Sequence, residues 1–347
     1  MKNIKQMDFL KLFQDCRLCP RQCKINRRDD NKQSALGFCK ETHRLRVAYV
    51  GPHFGEEPPI SGENGSGTVF FVGCSLRCSF CQNHQISHYG LGTGTSVEKL
   101  GTKIAYMIEY DHVHNINFVT PDHFFPHLFQ LVSLLRRDGF NLPIVYNLSG
   151  YQSLEALKSA RDYVDIYLPD FKYSDPSLAV ALSKCNNYNQ IALEAIAEMA
   201  SQKGFLDSSF TGAPLATRGV LVRHLILPGK VANSINALTT LFVEFGPDLP
   251  LSLMSQYHPV VHQKDDDLNR PVSEEEFDRV YLHAHDLGFE HLFVQFPEKS
   301  ASQRRAPSPF LPDFERPDPF PATGARQSGN RCYEGGLKIA SWRFEKR

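Results

Sequence analysis

The chain has 347 residues, of which 41% are hydrophobic and 22% are charged, a composition typical of a globular protein that buries a large core. Its 38 basic and 38 acidic residues cancel, so the chain as a whole does not attract nucleic acid or an anionic membrane. The first residues lack the apolar stretch of a signal peptide, and no segment approaches the ~20 apolar residues that a membrane span needs. We therefore expect a soluble, cytoplasmic protein with no membrane partner.

The cysteines are unevenly distributed along the chain. Of nine, seven fall within the first 81 residues, at positions 16, 19, 23, 39, 74, 78 and 81, whereas Cys185 and Cys332 stand alone. An odd number of cysteines in tight groups, in a chain without a secretion signal, argues against a disulfide framework. The pattern predicts metal binding instead.

The first cysteine group consists of Cys16, Cys19, Cys23 and Cys39. Four thiolates suffice to close either a tetrahedral zinc site or an iron–sulfur cluster. Basic residues lie between these cysteines, as they do in nucleic-acid zinc ribbons, but the rest of the chain balances their charge. We predict a structural metal that ties down a small cysteine-rich N-terminal subdomain, residues 1–66. A cluster that faces the substrate or relays electrons is the second interpretation.

From about residue 67 onward, short apolar runs alternate with helical patterns. The predicted strands are Val69–Val72, Ile116–Val119, Ile144–Leu148, Val164–Leu168, Leu221–Leu227, Leu251–Met254 and His291–Gln295. Between them, Thr95 with Glu98 and Ser273 with Glu276 predict capping boxes, and a further helix is predicted over Asn189–Lys203. This alternation indicates parallel strands with right-handed crossovers, and hence an α/β fold.

About six or seven strand–helix units are enough for a full or partial (β/α) barrel over residues 67–300, and an open doubly wound sheet fits the pattern as well. In either architecture the chemistry gathers at the C-terminal ends of the strands. Residues 301–347 differ, because residues 306–321 alone contain six prolines and the rest shows little pattern. We predict an irregular C-terminal tail that is wrapped on the body or partly disordered.

The second cysteine group follows the first of these strands directly. Cys74, Cys78 and Cys81 form a CxxxCxxC loop whose spacing lets three thiolates converge on one metal centre. Half a zinc site or three buried thiols are the structural alternatives. The position at a strand end, where an α/β active site lies, favours a metal site.

The motif CxxxCxxC, with the aromatic Phe80 before the last cysteine, resembles the signature of the radical S-adenosylmethionine (SAM) superfamily. Cys81-Gln-Asn83 and the run from Gly55 to Gly62 are similar to a branch related to the pyruvate formate-lyase activating enzymes. The resemblance covers roughly residues 16–320 and implies a partial barrel of the radical SAM type. It also implies that Cys74, Cys78 and Cys81 hold a [4Fe–4S] cluster, whose fourth iron binds SAM. Reduction of the cluster then cleaves SAM to a 5′-deoxyadenosyl radical.

The resemblance implies further cofactor contacts at successive strand ends. Asp170 and Lys172 match an Asp-Leu-Lys segment, and because alternate side chains share a face, both point into the same mouth. Asn147 matches a ligand-facing aspartate. Thr120 stands where activating enzymes carry Gly-Gly-Glu; the glycines and glutamate are absent, and a helix N-cap is the structural alternative for Thr120.

Two later strands supply the remaining candidates. Arg223 and His224 are neighbours on one strand and must face opposite sides, so only one of them enters the pocket. We predict that Arg223 does so, as a partner for a carboxylate. His258 matches the Tyr-His of activating enzymes and is predicted to bind the ribose of the adenosine.

The sequence and the resemblance together predict a radical SAM enzyme with an electron donor such as flavodoxin or ferredoxin. The resemblance implies a glycyl radical enzyme as one of two candidate targets, between which the sequence does not decide. Radical modification of another protein, a peptide or a small molecule is the alternative within the same chemistry. The alternative outside enzymes is a zinc-bound module that binds a protein or nucleic acid.

Overall fold

The computed structural model describes residues 9–29, 35–297, 311–320 and 342–346. Within these ranges the strands are β1 (Arg46–His53), β2 (Ser66–Phe71), β3 (Thr93–Gly94), β4 (Ile116–Val119), β5 (Ile144–Leu148), β6 (Ile166–Pro169), β7 (Gly219–Val220), β8 (Val222–Leu225), β9 (Leu251–Met254), β10 (His291–Gln295) and β11 (Trp342–Lys346). The α-helices are α1 (Pro58–Ser61), α2 (His84–Ser87), α3 (Val97–Asp111), α4 (Phe125–Arg137), α5 (Leu154–Ala160), α6 (Pro176–Ser183), α7 (Tyr188–Lys203), α8 (Asp207–Thr211), α9 (Val231–Phe245) and α10 (Glu274–Leu287).

The strands form two sheets that continue into one another. The first has the order β3-β1-β2-β4-β5-β6-β7, and the second has the order β11-β10-β9-β8. From β2 to β10 each neighbouring pair within a sheet is parallel, whereas β1, β3 and β11 pair antiparallel at the edges. A parallel bridge between Asp170 and Arg223 joins the two sheets. The prediction of an α/β fold built on parallel strands, with a cysteine-rich N-terminus, is confirmed.

The predicted strand limits agree best where apolar runs are short and isolated. β4, β5, β9 and β10 have the predicted bounds, whereas β2 begins three residues before the predicted start and β6 is shifted toward its C-terminus. Of the run predicted over Leu221–Leu227, only β8 (Val222–Leu225) is a strand, and the short strand β7 (Gly219–Val220) precedes the predicted start. β7 pairs with β6 and β8 pairs with β9, while Leu221 between them donates its amide to the Tyr167 carbonyl oxygen at 3.1 Å.

Strands β1 and β11 were not predicted. β1 lies within the predicted N-terminal subdomain, yet it pairs antiparallel with β2 of the main sheet. β11 lies within the predicted tail and pairs with β10. Cys332 and most of that tail lie outside the described residues. The domain boundaries at residues 66 and 300 stay predictions.

Of the two predicted helix N-caps, one agrees with the structure and the other is displaced by one residue. Ser273 and Glu276 form the predicted capping box of α10. The prediction of Thr95 as the cap of α3 is wrong by one residue, because Ser96 accepts the Lys99 amide at 3.2 Å. The Thr95 amide instead donates to the Leu45 carbonyl oxygen at 3.0 Å, so the chain is still extended there. No helix in the described ranges is long and apolar enough to cross a bilayer.

The inner face of the parallel strands is apolar at the N-terminal ends of the strands. Ile60 of α1, which is fully buried, packs there against inward-facing residues of several strands: Val145, Ile166, Leu168, Leu221 and Phe293. Asn115, just before β4, donates through Nδ2 to the Ile60 carbonyl oxygen at 2.7 Å and holds the helix in place. α1 therefore closes the N-terminal end of the barrel, and the C-terminal strand ends are left for the site.

Candidate active site

A cavity of about 190 Å³ lies at the C-terminal ends of the parallel strands. It brings together all nine residues that were predicted for the cluster and the cofactor: Cys74, Cys78, Cys81, Thr120, Asn147, Asp170, Lys172, Arg223 and His258. The four cysteines of the N-terminal group do not line it. The cavity therefore gathers side chains that are up to 184 residues apart in sequence, while their individual roles stay predictions.

The loop that carries the three cysteines is fixed by its backbone. Gly73 has φ +83°, and a Cβ atom there would lie 2.6 Å from the Cys39 carbonyl oxygen, so only glycine fits. Arg77 also adopts the left-handed conformation, with φ +54°. As a result the amides of Leu76 and Arg77 both turn toward Cys74 and donate to its Sγ at 3.4 Å.

These cysteines fit an iron–sulfur cluster. Burial raises the pKa of the Cys74 thiol and of the Cys81 thiol, so both sulfurs need a positive partner to bind as thiolates. Amide donors on Cys74 and the Ser87 hydroxyl, which donates to the Cys81 Sγ at 3.3 Å, stabilise the charge of metal-bound sulfur. An iron–sulfur cluster would supply the positive charge that the buried thiolates need, and the hydrogen-bond donors would stabilise its sulfur ligands.

Lys172 and Asp170 follow β6 and face the cysteine loop. Lys172 Nζ lies 2.5 Å from Asp170 Oδ2, and both side chains are about five-sixths buried. Burial opposes the charge of the ammonium, but attraction to Asp170 and Cys78 outweighs it and raises the pKa of Lys172. Tyr188 fixes this stretch of chain, because its hydroxyl accepts the Lys172 amide at 3.0 Å. Lys172 is thus a positively charged side chain that Asp170 holds in position beside the cysteines.

Thr120 and Asn147 lie on neighbouring strand ends, where the Thr120 amide donates to the Asn147 carbonyl oxygen at 3.0 Å. The alternative of Thr120 as a helix N-cap is wrong. Its φ is +55°, and a 3₁₀ turn over Asp122–Phe124 separates it from α4. A β-branched residue in the left-handed region is strained, and such strain is typical of binding sites.

Arg223 enters the cavity and His224 faces away from it. His224 is fully buried against α9, where Ser234 Oγ lies 2.9 Å from its Nε2. Arg223, however, already has protein partners. Its Nε and Nη2 bind both carboxylate oxygens of Glu57, at 2.9 and 2.5 Å, and its Nη2 also lies 2.5 Å from Glu56 Oε2. The guanidinium is therefore shared by two carboxylates.

Glu56 is the residue that sequence reasoning missed. It is 8% exposed and lines the cavity, and its Oε1 accepts from Asn117 Nδ2 at 2.9 Å. Two polar atoms nearby, Asn117 Oδ1 and His53 Nδ1, are buried without a hydrogen-bond partner among the described residues. Its signals in the sequence were the pair Glu56-Glu57 and the place of that pair in the run from Gly55 to Gly62, which resembles the activating-enzyme branch.

Comparison with known proteins bears on the cysteine loop and the strands that surround it. Residues 68–217 match the family model described as the Radical SAM superfamily. The match covers less than half of the chain. The match begins in β2 and ends before β7, so it contains the cysteine loop and the Asp170–Lys172 pair. The superfamily implies an enzyme that uses SAM radical chemistry with an iron–sulfur cluster, as the three cysteines predicted.

Individual proteins that resemble this chain share 10 to 27% of its sequence. The uncharacterized protein MJ0674 of Methanocaldococcus jannaschii is 27% identical over 277 residues, which are 77% of this chain and 73% of that protein. Among solved structures, HydG, a maturase of the [FeFe]-hydrogenase, has a TM-score of 0.44 at 13% identity, covering 65% of this chain and 50% of that one. SuiB of Streptococcus suis, bound to S-adenosylmethionine, has a TM-score of 0.41 at 10% identity, covering 61% and 44%. The chain thus spans about half the length of these two structures, and no residue role is carried over from them.

A C-terminal strap, residues 311–320, packs against β2 and α2. Phe320 lines the cavity, with its ring centroid 4.3 Å from that of His53 and 5.4 Å from that of Phe70. Gln85 of α2 anchors the strap, because it accepts the Phe314 amide at 2.8 Å and donates to Asp313 Oδ1 at 3.2 Å. The strap adds an aromatic wall next to the Glu56 carboxylate.

Proposed function

We propose that this chain is a radical SAM enzyme that abstracts hydrogen from a small polar substrate held on the Glu56 side of the cavity. The observation that carries the proposal is the buried group of Arg223, Glu56 and Glu57 in the same site as the three cysteines. When bound, the cluster and SAM supply one-electron cleavage of a carbon–sulfur bond and hence a radical that takes hydrogen.

The protein residues divide this work between them. Cys74, Cys78 and Cys81 would hold the cluster. Lys172 is an ammonium next to the cysteine loop, which suits the carboxylate of the methionine moiety, and Asp170 suits its ammonium or the ribose. Because both groups are largely buried, a contact with the cofactor is charge-assisted and little screened by water. The ribose contact that was predicted for His258 remains part of this proposal.

The charges on the walls favour a particular substrate class. Two carboxylates that line the cavity, Asp170 and Glu56, and the fully buried Glu57 behind them face two cations, Arg223 and Lys172, which leaves one negative charge in excess. A buried charge is costly unless a ligand pairs with it. A substrate with an amine or several hydrogen-bond donors supplies that partner, whereas a glycine backbone offers only neutral amides.

Activation of a glycyl radical enzyme is the second candidate. It is supported by the resemblance of Cys81-Gln-Asn83 to the activating enzymes and by the position of Gln82 and Asn83 on the cavity wall. In that case the partner is a protein that presents a backbone loop, and flavodoxin or ferredoxin is the expected electron donor. A glycyl radical signal in electron paramagnetic resonance (EPR), obtained with partner, SAM and reductant, would support this candidate.

The test is anaerobic reconstitution with iron and sulfide, reduction with dithionite, and chromatography for 5′-deoxyadenosine. Cys78→Ala should abolish the product, because it removes one of the three predicted protein ligands. Cys185→Ala, which alters a buried cysteine outside the cavity, is the matched control and should retain activity. Product formation by Cys78→Ala at the wild-type rate would overturn the proposal. Small polar amines are then tested for a rise in the yield.

A further inference from the structure

We propose that Cys16, Cys19, Cys23 and Cys39 hold an iron–sulfur cluster of their own, built directly against the loop that carries Cys74, Cys78 and Cys81. This site is separate from the cavity and does not depend on the proposed substrate. It is argued from the contacts around the four sulfurs, from their spacing and from the residues that join them to the loop.

Backbone hydrogen bonds bring the four cysteines together. The Cys16 amide donates to the Ile25 carbonyl oxygen at 3.1 Å, and the Cys16 carbonyl accepts the Lys24 amide at 3.0 Å, so Cys16 lies against the chain just after Cys23. A turn over Cys19–Gln22 folds Cys19 toward the same place, with Gln22 N donating to Cys19 O at 3.0 Å. The Phe38 amide donates to Cys23 Sγ at 3.4 Å, which places Cys39 next to Cys23.

The surroundings suit metal-bound thiolates rather than four free thiols. Arg27 is fully buried, and its Nη1 lies 3.7 Å from Cys16 Sγ. The same guanidinium is held in place by three carbonyl oxygens, those of Glu41, His123 and Thr42, at 2.7 to 3.1 Å. A fixed buried cation beside sulfur, together with an amide donor on Cys23, compensates the net negative charge of a four-thiolate centre.

The spacing of the sulfurs favours a cluster over zinc. In a tetrahedral zinc site each Zn–S bond is about 2.3 Å, which puts the sulfurs about 4 Å apart. Among the described residues, no three sulfurs of this group lie within 4.8 Å of one another. The same holds for Cys74, Cys78 and Cys81, the predicted ligands of the [4Fe–4S] cluster. Neither group is therefore preformed for a single tetrahedral ion, whereas the ligands of a cluster bind different irons and do not have to lie so close together.

The N-terminal group is joined to the cysteine loop at two points. Arg21, between Cys19 and Cys23, donates to the Ser75 carbonyl oxygen at 3.1 Å and stacks on the Phe38 ring at 3.8 Å. On the other side, the Cys39 carbonyl oxygen packs onto Gly73 so closely that no Cβ atom fits. The two cysteine groups thus pack directly against each other. Arg21 and the Cys39 backbone of the N-terminal group both contact the loop that carries Cys74, Cys78 and Cys81.

The test compares two triple variants after anaerobic reconstitution with iron and sulfide. Cys74→Ala/Cys78→Ala/Cys81→Ala leaves only the N-terminal group, and Cys16→Ala/Cys19→Ala/Cys23→Ala leaves only the central group; Cys185→Ala is the control. We expect the wild-type protein to hold about twice the iron of either triple variant. The central triple variant, in which Cys74, Cys78 and Cys81 are replaced, should retain iron and acid-labile sulfide in equal amounts, with visible absorption and an EPR signal on reduction. The N-terminal triple variant is the one in which Cys16, Cys19 and Cys23 are replaced.

Zinc without iron in the central triple variant, or no metal there, would overturn the proposal. If the N-terminal triple variant fails to fold, the wild-type protein and the central triple variant decide between the outcomes, because both keep all four N-terminal cysteines. None of these measurements depends on SAM cleavage, so they fail or succeed independently of the proposed function.

Discussion

Arg21 Nε donates to the carbonyl oxygen of Ser75 at 3.1 Å, across 54 residues of sequence. The same side chain reaches the carbonyl oxygens of Leu76, Ser183 and Lys184, so one guanidinium ties the N-terminal cysteine group to the cysteine loop and to the end of α6. The loop that is predicted to hold the radical cluster is therefore supported from outside the barrel.

Replacing Arg21 should loosen the cysteine loop. Arg21→Met leaves several part-buried carbonyls without their donor, and we expect a loss of about 2 kcal/mol in the free energy of unfolding. Arg17→Met is the matched control, because Arg17 lies in the same segment but is half exposed and forms a surface ion pair with Asp15, so its effect should stay within ~0.5 kcal/mol. Urea denaturation and iron retention during gel filtration measure both. Equal behaviour of the two variants would contradict the supporting role.

Lys172→Met should weaken SAM binding and leave the iron content unchanged. Loss of one partner from a desolvated, charge-assisted contact costs about 2–5 kcal/mol, which is at least a tenfold rise in Kd. Lys158→Met, on the exposed side of α5, is the control. Equilibrium dialysis with labelled SAM gives the affinity, and unchanged binding by Lys172→Met would return this lysine to a structural role.

Glu56 and Glu57 permit a paired experiment on the substrate side. Both bind Arg223, but only Glu56 lines the cavity, whereas Glu57 is fully buried. We expect Glu56→Gln to abolish the rise in 5′-deoxyadenosine that a substrate causes while substrate-free cleavage persists. Glu57→Gln should act on the free energy of unfolding instead. If both variants respond equally to substrate, the excess carboxylate charge does not select it.

Thr120→Gly should stabilise the protein. The left-handed φ of Thr120 costs about 1 kcal/mol or more that glycine does not incur, and part of this gain is offset by the greater freedom of glycine in the unfolded chain. We expect a net gain of up to ~1 kcal/mol in chemical denaturation. A marked loss of stability would mean that the Thr120 side chain makes contacts that outweigh the strain.

His224 should make stability fall in mild acid. Burial lowers the pKa of His224 from its ordinary value of 6.5 to about 4, so the unfolded chain takes up a proton before the folded one does. The stability is complete above pH 6.5 and is lost as the pH falls toward 4, by about 2 kcal/mol at pH 5. The measurement is the difference in unfolding free energy between pH 7 and pH 5, which should shrink in His224→Gln. An unchanged difference would assign the acid sensitivity to other groups.

Local patterns were sufficient for much of the fold and for the cysteine loop. β4, β5, β9 and β10 are buried runs flanked by turn residues, and CxxxCxxC places three thiols by chain geometry alone. β1 was not predicted because most of its residues are half-buried at the edge of the sheet and do not form an apolar run. β11 pairs with β10 from a stretch that shows no pattern of its own.

The Glu56–Arg223 contact shows why part of the site could not be predicted. The two residues are 167 positions apart, and they meet because the connection between β1 and β2 folds into the barrel rather than over its surface. Sequence reasoning placed Arg223 correctly on the inner face, since alternation along a strand is local. It could not supply the two carboxylates, because their position depends on the packing of α1 under the strands.

Helix α1 acts as a plug at the N-terminal end of the strands, and this affects the order of events in catalysis. Because Ile60 and its neighbours fill the N-terminal end, we expect molecules to enter and leave at the opposite end, past the cysteine loop. A substrate bound at Glu56 lies between the plug and that route, behind whatever occupies the positions next to Lys172. For the proposed function we therefore expect ordered binding, in which the substrate enters before SAM and the spent cofactor leaves before the product.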